Sequence, residues 1–186
     1  LGSGRTGKHR AGWHRGYDEG VPLTLEPYPE RTLLDYLTEA ERNWPGRPAL
    51  LFKGSRVTYR QLEEQSDSLA AALVATGVKR GDRVALCLPN SPQFMISEFA
   101  AWKAGAIACP FNPTYSEREM GEALRATGAE TLILLNRFYE KVKSIQTGTS
   151  VKRVIATNIK VYLPPFLRFA YTLLTAKAEG DRITVR

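Results

Sequence analysis

The sequence predicts an α/β fold, a doubly wound and mostly parallel sheet preceded by a β-hairpin. Short apolar runs alternate along the chain with amphipathic segments of helical period. The runs read as continuously apolar, as at 84–88, and this is typical of parallel strands that helices cover on both faces. Capping residues and glycines separate the runs from the helical segments. Together these observations favour parallel strands joined by helices.

An amphipathic helix and a hairpin are expected first. The helix is predicted at 32–43. Its expected buried face consists of Leu33, Leu34, Leu37 and Ala40. Two short strands at 49–53 and 56–59 flank Gly54 and Ser55, which we interpret as a two-residue hairpin turn.

A long second helix follows the hairpin. Thr58 followed by Gln61 forms a capping box, and Gly77 is a suitable end for the helix. The side chains expected to face inward are Leu62, Leu69, Ala72 and Leu73.

The clearest part of the pattern is a strand, helix, strand unit. After the buried strand at 84–88, Ser91 can cap a helix whose first residue is Pro92, where the missing N–H is not needed. Gly105 is expected to end this helix in a left-handed conformation. The next apolar run, at 106–110, follows at once. Such a crossover joins two parallel strands.

The alternation continues beyond this unit. Ser116 and Glu119 form another capping box, and the helix that they begin is expected to end at Gly128. The further expected elements are a strand at 131–135, a helix at 138–145 and a strand at 151–157. The sequence therefore predicts four buried parallel strands.

Polar side chains follow several of these strands. Ligands of doubly wound sheets bind beyond the carboxyl ends of the strands. By that rule the candidates for a crevice are Asn90, Asn112, Tyr115 and Asn136. Turns also use such residues for backbone conformation alone, so a structural role stays open for each.

Composition and charge limit the classes of protein. A chain of 186 residues with 43% hydrophobic residues can build a real core. The net charge of +7 arises within 137–186, which carries ten basic and three acidic residues. Cys87 and Cys109 lie in apolar runs and are expected to be reduced, which fits a cytoplasmic protein. The sequence has neither an 18-residue apolar run nor the apolar stretch of a signal peptide.

Residues 1–30 are expected to form an irregular basic arm and lead-in. Gly2, Gly4 and Gly7 match a dinucleotide loop, and Gly7 with Lys8 matches part of a Walker loop. Both phosphate sites need a strand before the loop and a helix behind it, and the sequence supplies neither. A transit peptide is a further alternative, since the first basic residues precede the first acid.

Residues 158–186 form a different kind of segment, basic and apolar. Pro164 and Pro165 can begin a helix there. Its large apolar side chains are Leu163, Phe166, Leu167, Phe169, Leu173 and Leu174. They need a cover, either protein or a membrane surface, and the basic residues around them favour anionic headgroups. Peripheral membrane contact through 160–177 is therefore one of the two expectations.

The sequence predicts no catalytic machinery within these residues. His9 and His14, the two histidines, both lie in the arm. The α/β region at 31–157 therefore offers no Ser–His or Cys–His pair and no His-based metal site. We expect no catalytic, cofactor-binding or metal-ligating residue in this chain.

Several short motifs follow one another in a fixed order between residues 33 and 157. They are RVTYRQL at 56–62, VKRGDRVAL at 78–86, the triplet at 89–91, WKAGAIACPFNP at 102–113, and then Tyr115, Glu117 and Glu119. This ordered set resembles the N-terminal part of the large domain of the adenylate-forming acyl-CoA synthetases. The matching motif residues include Thr58, Tyr59, Lys103, Gly105, Pro110, Asn112 and Pro113.

The lead-in around Trp13 and Tyr17 and the apolar insert at 161–174 are similar to bacterial long-chain fatty acid CoA ligases in particular. The resemblance implies that a fatty acid, ATP and magnesium form an acyl-adenylate, which then reacts with CoA. It also implies that the chain is the leading third of such an enzyme. The phosphate loop, the magnesium ligand and the catalytic lysine would lie downstream, so we expect the chain alone to be inactive and to bind no cofactor.

Other hypotheses about the function stay open beside this resemblance. Within the family, the substrate can be another carboxylate, such as an aryl or medium-chain acid. Outside it, the alternatives are a flavodoxin-like nucleotide or flavin binder and an interaction protein suggested by the pI of 9.5. No recognition helix is evident, so we expect no nucleic-acid partner. A homodimer, and a location at the inner face of the membrane, complete the expectations.

Overall fold

The computed structural model describes residues 12–22, 24 and 26–175. The chain divides into two compact units, Leu1–Arg31 and Thr32–Arg186. In the described part of the first unit, a 3-10 helix spans Gly12–Gly16. The glycines of the phosphate-loop interpretation and the basic end of the 160–177 segment lie outside the described residues.

The second unit contains a helix, a hairpin and then alternating helices and strands. In chain order, its helices and strands are α1 (Leu33–Asn43), β1 (Pro48–Phe52), β2 (Ser55–Thr58), α2 (Tyr59–Ala75), β3 (Arg83–Cys87), α3 (Pro92–Lys103), β4 (Ile107–Pro110), α4 (Glu117–Thr127), β5 (Thr131–Leu135), α5 (Tyr139–Ile145), β6 (Arg153–Thr157) and α6 (Pro165–Thr175). The expected order of elements is thereby confirmed. The predicted helix at 138–145 begins as a 3-10 turn, Asn136–Phe138, and β6 starts two residues later than expected.

A four-stranded parallel sheet has the order β4-β3-β5-β6, and β1 pairs with β2 in an antiparallel hairpin. The chain moves from β3 to one neighbour, β4, and then crosses to the other side, β5, so the predicted doubly wound arrangement is confirmed. The expectation of four buried strands is wrong for two of them. Both β3 and β5 are central and almost wholly buried, whereas β4 and β6 lie at the edges and are partly exposed.

Helices pack on both faces of the sheet because successive side chains of a strand point to opposite sides. Val84 and Leu86 face one cluster, which includes Ala100 of α3. Ala85 faces the other cluster, together with Met120 of α4. A third cluster joins the hairpin to the helices through Leu37, Val57, Leu62, Ile96 and Phe99.

Local signals set the helix ends. The capping boxes at Thr32, Thr58 and Ser116 are all formed. Gly105 adopts a left-handed conformation with φ +75°, as predicted, and a Cβ added there would lie 3.3 Å from Cγ of Arg80. The glycine therefore serves both the chain reversal after α3 and a close approach of two segments.

Two local predictions are wrong in detail. Phe52 pairs with Ser55, so the hairpin turn consists of Lys53 and Gly54, one residue earlier than expected. Both turn residues have positive φ, 50° and 89°, as two-residue turns that match the strand twist require. Among the residues expected to face inward, Leu33 and Ala72 are exposed, because neighbouring elements cover only part of each helical stripe.

The predicted helix after Pro164 is also present, as α6. Its side chains at Phe166 and Phe169 are 78% and 66% exposed. Among the described residues, no helix is long and apolar enough to cross a membrane.

Candidate functional site

A crevice lies at the carboxyl ends of β3 and β4, where the fold rule places ligands. Its volume is about 520 Å³, within the range of small-molecule sites. The loop after β3 contributes Asn90, and the loop after β4 contributes Asn112 and Thr114. The structure thus brings together four of the residues singled out by sequence, namely Asn90, Pro110, Asn112 and Pro113.

The second loop of the crevice is held by short hydrogen bonds. The Asn112 side-chain oxygen accepts from the Thr114 backbone N–H at 3.0 Å and from its hydroxyl at 2.8 Å. The Phe111 N–H donates to the Leu86 carbonyl at 3.1 Å and extends the pairing beyond β4. These bonds give Asn112 the turn role that its residue type also predicted. Whether it contacts a ligand stays a prediction.

Two polar side chains at the start of α3 are buried, and sequence reasoning did not anticipate the burial of either one. Ser91 caps the helix by position, yet its hydroxyl makes no capping bond, and its buried Oγ has no partner among the described residues. The Gln93 side-chain N–H group donates to the Asn158 carbonyl at 3.0 Å, while its Oε1 is buried without a described partner. Gln93 thereby ties α3 to the end of β6. Local sequence carried no signal for this contact.

A second cavity adjoins the crevice, and a third adjoins the second. One has a volume of about 330 Å³ and lies between the hairpin and α3, and it shares Asn90 and Phe94 with the crevice. The other, of about 320 Å³, lies between the hairpin turn and α6 and shares Phe52 with the first. Shared lining residues therefore connect the three cavities in series.

The remaining predicted residues do not line the crevice. Tyr115 stacks on Phe111 with ring centroids 6.4 Å apart, and its carbonyl accepts a hydrogen bond from Lys141. Asn136 begins the 3-10 turn after β5. Thr58 caps α2, beside Tyr59.

Lys103 serves a contact between helices rather than the crevice. Its Nζ lies 3.2 Å from a carboxylate oxygen of Glu63 and 2.7 Å from one of Asp67, so it joins α3 to α2. With Gly105 at the turn that follows, it belongs to the opposite end of β4 from the crevice. In this arrangement both residues support the fold.

The crevice does not fit a nucleoside triphosphate with its magnesium ion. The residues that line it carry no charged side chain, whereas phosphates are normally held by cations, backbone N–H groups and a metal. Within the described residues, no group of three or more His, Cys, Asp or Glu side chains is placed to hold a metal ion.

Burial raises the pKa of the Cys87 thiol to about 12, so this thiol stays protonated and unreactive at neutral pH.

An open doubly wound sheet, a leading hairpin and a crevice at the strand ends together define an α/β scaffold of the kind whose ligands bind beyond the carboxyl ends of the strands. The family model described as AMP-binding enzyme matches residues 37–180. The chain therefore belongs to the AMP-binding enzyme family, whose members are adenylate-forming ligases.

Curated relatives share about a third of their residues with the chain. The long-chain-fatty-acid–CoA ligase of Bacillus subtilis is 34% identical over 152 residues, which is 82% of this chain and 27% of the relative. The enzyme of the same name from Haemophilus influenzae is 36% identical over 79% of this chain and 26% of its own length. The chain thus spans about a quarter of the length of these relatives.

Solved structures agree with the fold. A long-chain-fatty-acid–CoA ligase from Archaeoglobus fulgidus superposes with a TM-score of 0.65 and 26% identity, over 73% of this chain and 30% of that chain. The N-terminal subdomain of NpsA from Klebsiella oxytoca, solved with 3-hydroxyanthranilyl-AMSN, gives a TM-score of 0.60 and 34% identity over 72% of this chain and 32% of that chain. The fold is therefore that of the N-terminal part of adenylate-forming enzymes.

Proposed function

We propose that the intact protein containing this chain is a ligase that activates a long-chain fatty acid with ATP and transfers the acyl group to CoA. The supporting observation is the match to long-chain-fatty-acid–CoA ligases over about four fifths of the chain. The crevice has no charged lining residue, and this supports a proposal in which residues outside this chain bind ATP and magnesium. The chain then supplies scaffold and one wall of the site.

The test is substrate-dependent exchange of radiolabelled pyrophosphate into ATP by the intact protein. Palmitate, octanoate and salicylate are compared, and thioester formation is measured after CoA is added. We expect the fastest exchange with palmitate, and thioester only when CoA is present. Faster exchange with salicylate than with palmitate would overturn the long-chain assignment.

A second candidate substrate class is an aryl acid. The salicyl-AMP ligase of Mycobacterium tuberculosis is 38% identical to the chain over 109 residues. That match covers 56% of the chain, whereas the fatty acid ligases match 79% or more. The longer match favours the fatty acid proposal, and the salicylate arm of the exchange assay separates the two.

The 186 residues by themselves are proposed to be inactive. Within the described residues, the crevice offers no cation for the phosphates. Purified chain given palmitate, ATP and magnesium should show no exchange above a blank without protein. Exchange that rises with chain concentration would refute this.

The intact protein is further proposed to be cytoplasmic and to touch an anionic membrane surface through α6. Phe166 and Phe169 are largely exposed on a helix that also carries Arg168, a combination typical of interfacial helices. Replacing both phenylalanines by Ser should reduce co-sedimentation with phosphatidylglycerol vesicles at least several-fold. Val74→Ser, an exposed apolar position on α2, is the matched control and should leave co-sedimentation unchanged. Equal losses in both variants would refute the contact.

A further inference from the structure

The loop that connects β4 to α4 forms one wall of the crevice, and we call residues 111–116 the crevice loop. Phe111, Asn112, Pro113 and Thr114 of this loop line the crevice. Asn112 and Thr114 are also exposed to solvent. An exposed loop keeps one shape only when contacts with the rest of the fold hold it.

Backbone hydrogen bonds hold two points of the crevice loop. The Phe111 N–H donates to the Leu86 carbonyl of β3 at 3.1 Å, and the Tyr115 N–H donates to the Asn112 carbonyl at 3.2 Å. The first bond ties the beginning of the loop to the sheet, and the second lies within the loop. Neither of these two bonds connects the loop to a helix.

Lys141 of α5 supplies a contact of that kind. Its ammonium group donates a hydrogen bond to the Tyr115 carbonyl, 26 positions earlier in the sequence. The Tyr115 ring stacks on the Phe111 ring, with centroids 6.4 Å apart and an angle of 17° between the planes. Lys141 itself does not line the crevice. Any effect of Lys141 on the crevice therefore passes through Tyr115 and Phe111.

The surroundings of Lys141 differ from those of an ordinary surface lysine. Among the residues that the structure describes, Lys141 is partly buried and forms no ion pair. Burial raises the pKa of Cys87, the last residue of β3, and the Lys141 ammonium opposes this effect, so the ammonium lies near the end of that strand. Hydrogen bonds from Ser116 lower the pKa of Glu119, and Lys141 makes a smaller contribution in the same direction. A charged donor in this position bonds a carbonyl more strongly than a neutral donor does.

We propose that Lys141 is a positioning residue of the intact enzyme. Through Tyr115 and Phe111, it holds the crevice loop in the shape that a bound substrate meets. The role in substrate binding rests on the proposed function, whereas the effect on the loop depends on no reaction. The two can therefore be tested separately.

Hydrogen–deuterium exchange of the intact protein without ligands tests the effect on the loop. Lys141→Met keeps the apolar stem and removes the donor. We expect the bonded N–H groups of Phe111, Thr114 and Tyr115 to exchange about tenfold faster in this variant, as for the loss of one charge-assisted hydrogen bond. Unchanged exchange over 111–116 would overturn the proposal.

Two variants on the same helix position serve as comparison and rescue. Lys143 is exposed on α5, with its Nζ 5.9 Å from the centroid of the Tyr139 ring, and Lys143→Met should leave exchange of the loop unchanged. Lys141→Arg keeps a charged donor and should stay within about twofold of the unmodified protein. Equal acceleration in Lys143→Met and Lys141→Met would indicate a general loosening of α5 and contradict the proposal. If circular dichroism shows that Lys141→Met fails to fold, Lys141→Gln replaces it, with an expected acceleration of about threefold for a neutral donor.

Steady-state kinetics of thioester formation by the intact protein test the role in binding. Palmitate, ATP and CoA are varied in turn. In Lys141→Met, we expect KM for one of the three to rise about fivefold or more, while kcat and the other two KM values change less than about twofold, and Lys141→Arg should restore that KM. A fall in kcat alone, a parallel rise of all three KM values, or no change would overturn the positioning role. If the intact protein forms no thioester from palmitate, the proposed function fails, while the exchange experiment still decides whether Lys141 holds the loop.

Discussion

Lys103 contributes the ion pairs of the contact between α2 and α3, and its removal is a quantitative test of the fold. The Lys103 side chain is 13% exposed and lies between Glu63, 21% exposed, and Asp67, 62% exposed. Its Nζ also donates to the Glu63 carbonyl at 3.3 Å. Lys103→Met keeps the apolar stem but leaves the mostly buried Glu63 carboxylate without its cation.

The expected cost follows from these exposures. Removing one partner of a buried ion pair lowers the free energy of unfolding by about 3 to 5 kcal/mol. Because Glu63 is partly exposed, we expect a smaller loss for Lys103→Met, about 2 kcal/mol. Asp67→Asn removes a mostly exposed partner and should cost about 0.5 kcal/mol. Glu63→Gln added to Lys103→Met should recover part of the loss, because the unpaired charge is then gone.

Urea unfolding of the chain provides the measurement. Trp102 reports on this region, since its ring packs edge-on against Phe99 with centroids 5.4 Å apart. At a slope of about 2 kcal/mol per molar urea, Lys103→Met should lower the midpoint by about 1 M. A Lys103→Met midpoint no lower than that of Asp67→Asn would refute the reasoning.

Two further predictions concern titratable groups. The Ser116 hydroxyl lowers the pKa of Glu119, so the stability of the α4 cap should be present above the ordinary range of a glutamate, about 4.3, and be lost as pH falls through the lowered value. Ser116→Ala should raise the Glu119 pKa toward that ordinary range in an NMR titration, and an unchanged value would contradict the cap. Cys87 should resist alkylation at pH 8 in the folded chain and react in urea, because burial raises its pKa to about 12. Modification of Cys87 without urea, at the rate of a free thiol, would show that the reagent reaches the Cys87 side chain in the folded chain and that β3 is not buried there.

Part of the candidate site could be anticipated from sequence. Asn90 and Asn112 were placed at strand ends by their position after two apolar runs, and the crevice contains both. Ser91 was recognised only as a cap, and Gln93 was not recognised. The Gln93 bond to Asn158 spans 65 positions. The Ser91 hydroxyl has no partner among the residues that the structure describes, and its burial depends on what packs around the start of α3.

The amino-acid sequence by itself determined the order and type of the elements. A capping box such as Thr58 with Gln61 lies within one helical turn, and the left-handed conformation of Gly105 involves a single residue. Both signals can therefore be recognised from a few neighbouring residues of the sequence. The ordered motifs also indicated the family that the comparisons identify.

Only the tertiary structure decided which strands lie at the edges, where the hairpin turn falls and what lines each cavity. The strand order β4-β3-β5-β6 leaves two apolar runs half exposed, although their sequences resemble those of the central strands. Phe52 and Leu167 line one groove, although they are 115 positions apart, because the fold brings the hairpin turn close to the start of α6. Such contacts depend on the sum of many weak interactions between distant segments, and no local pattern encodes that sum.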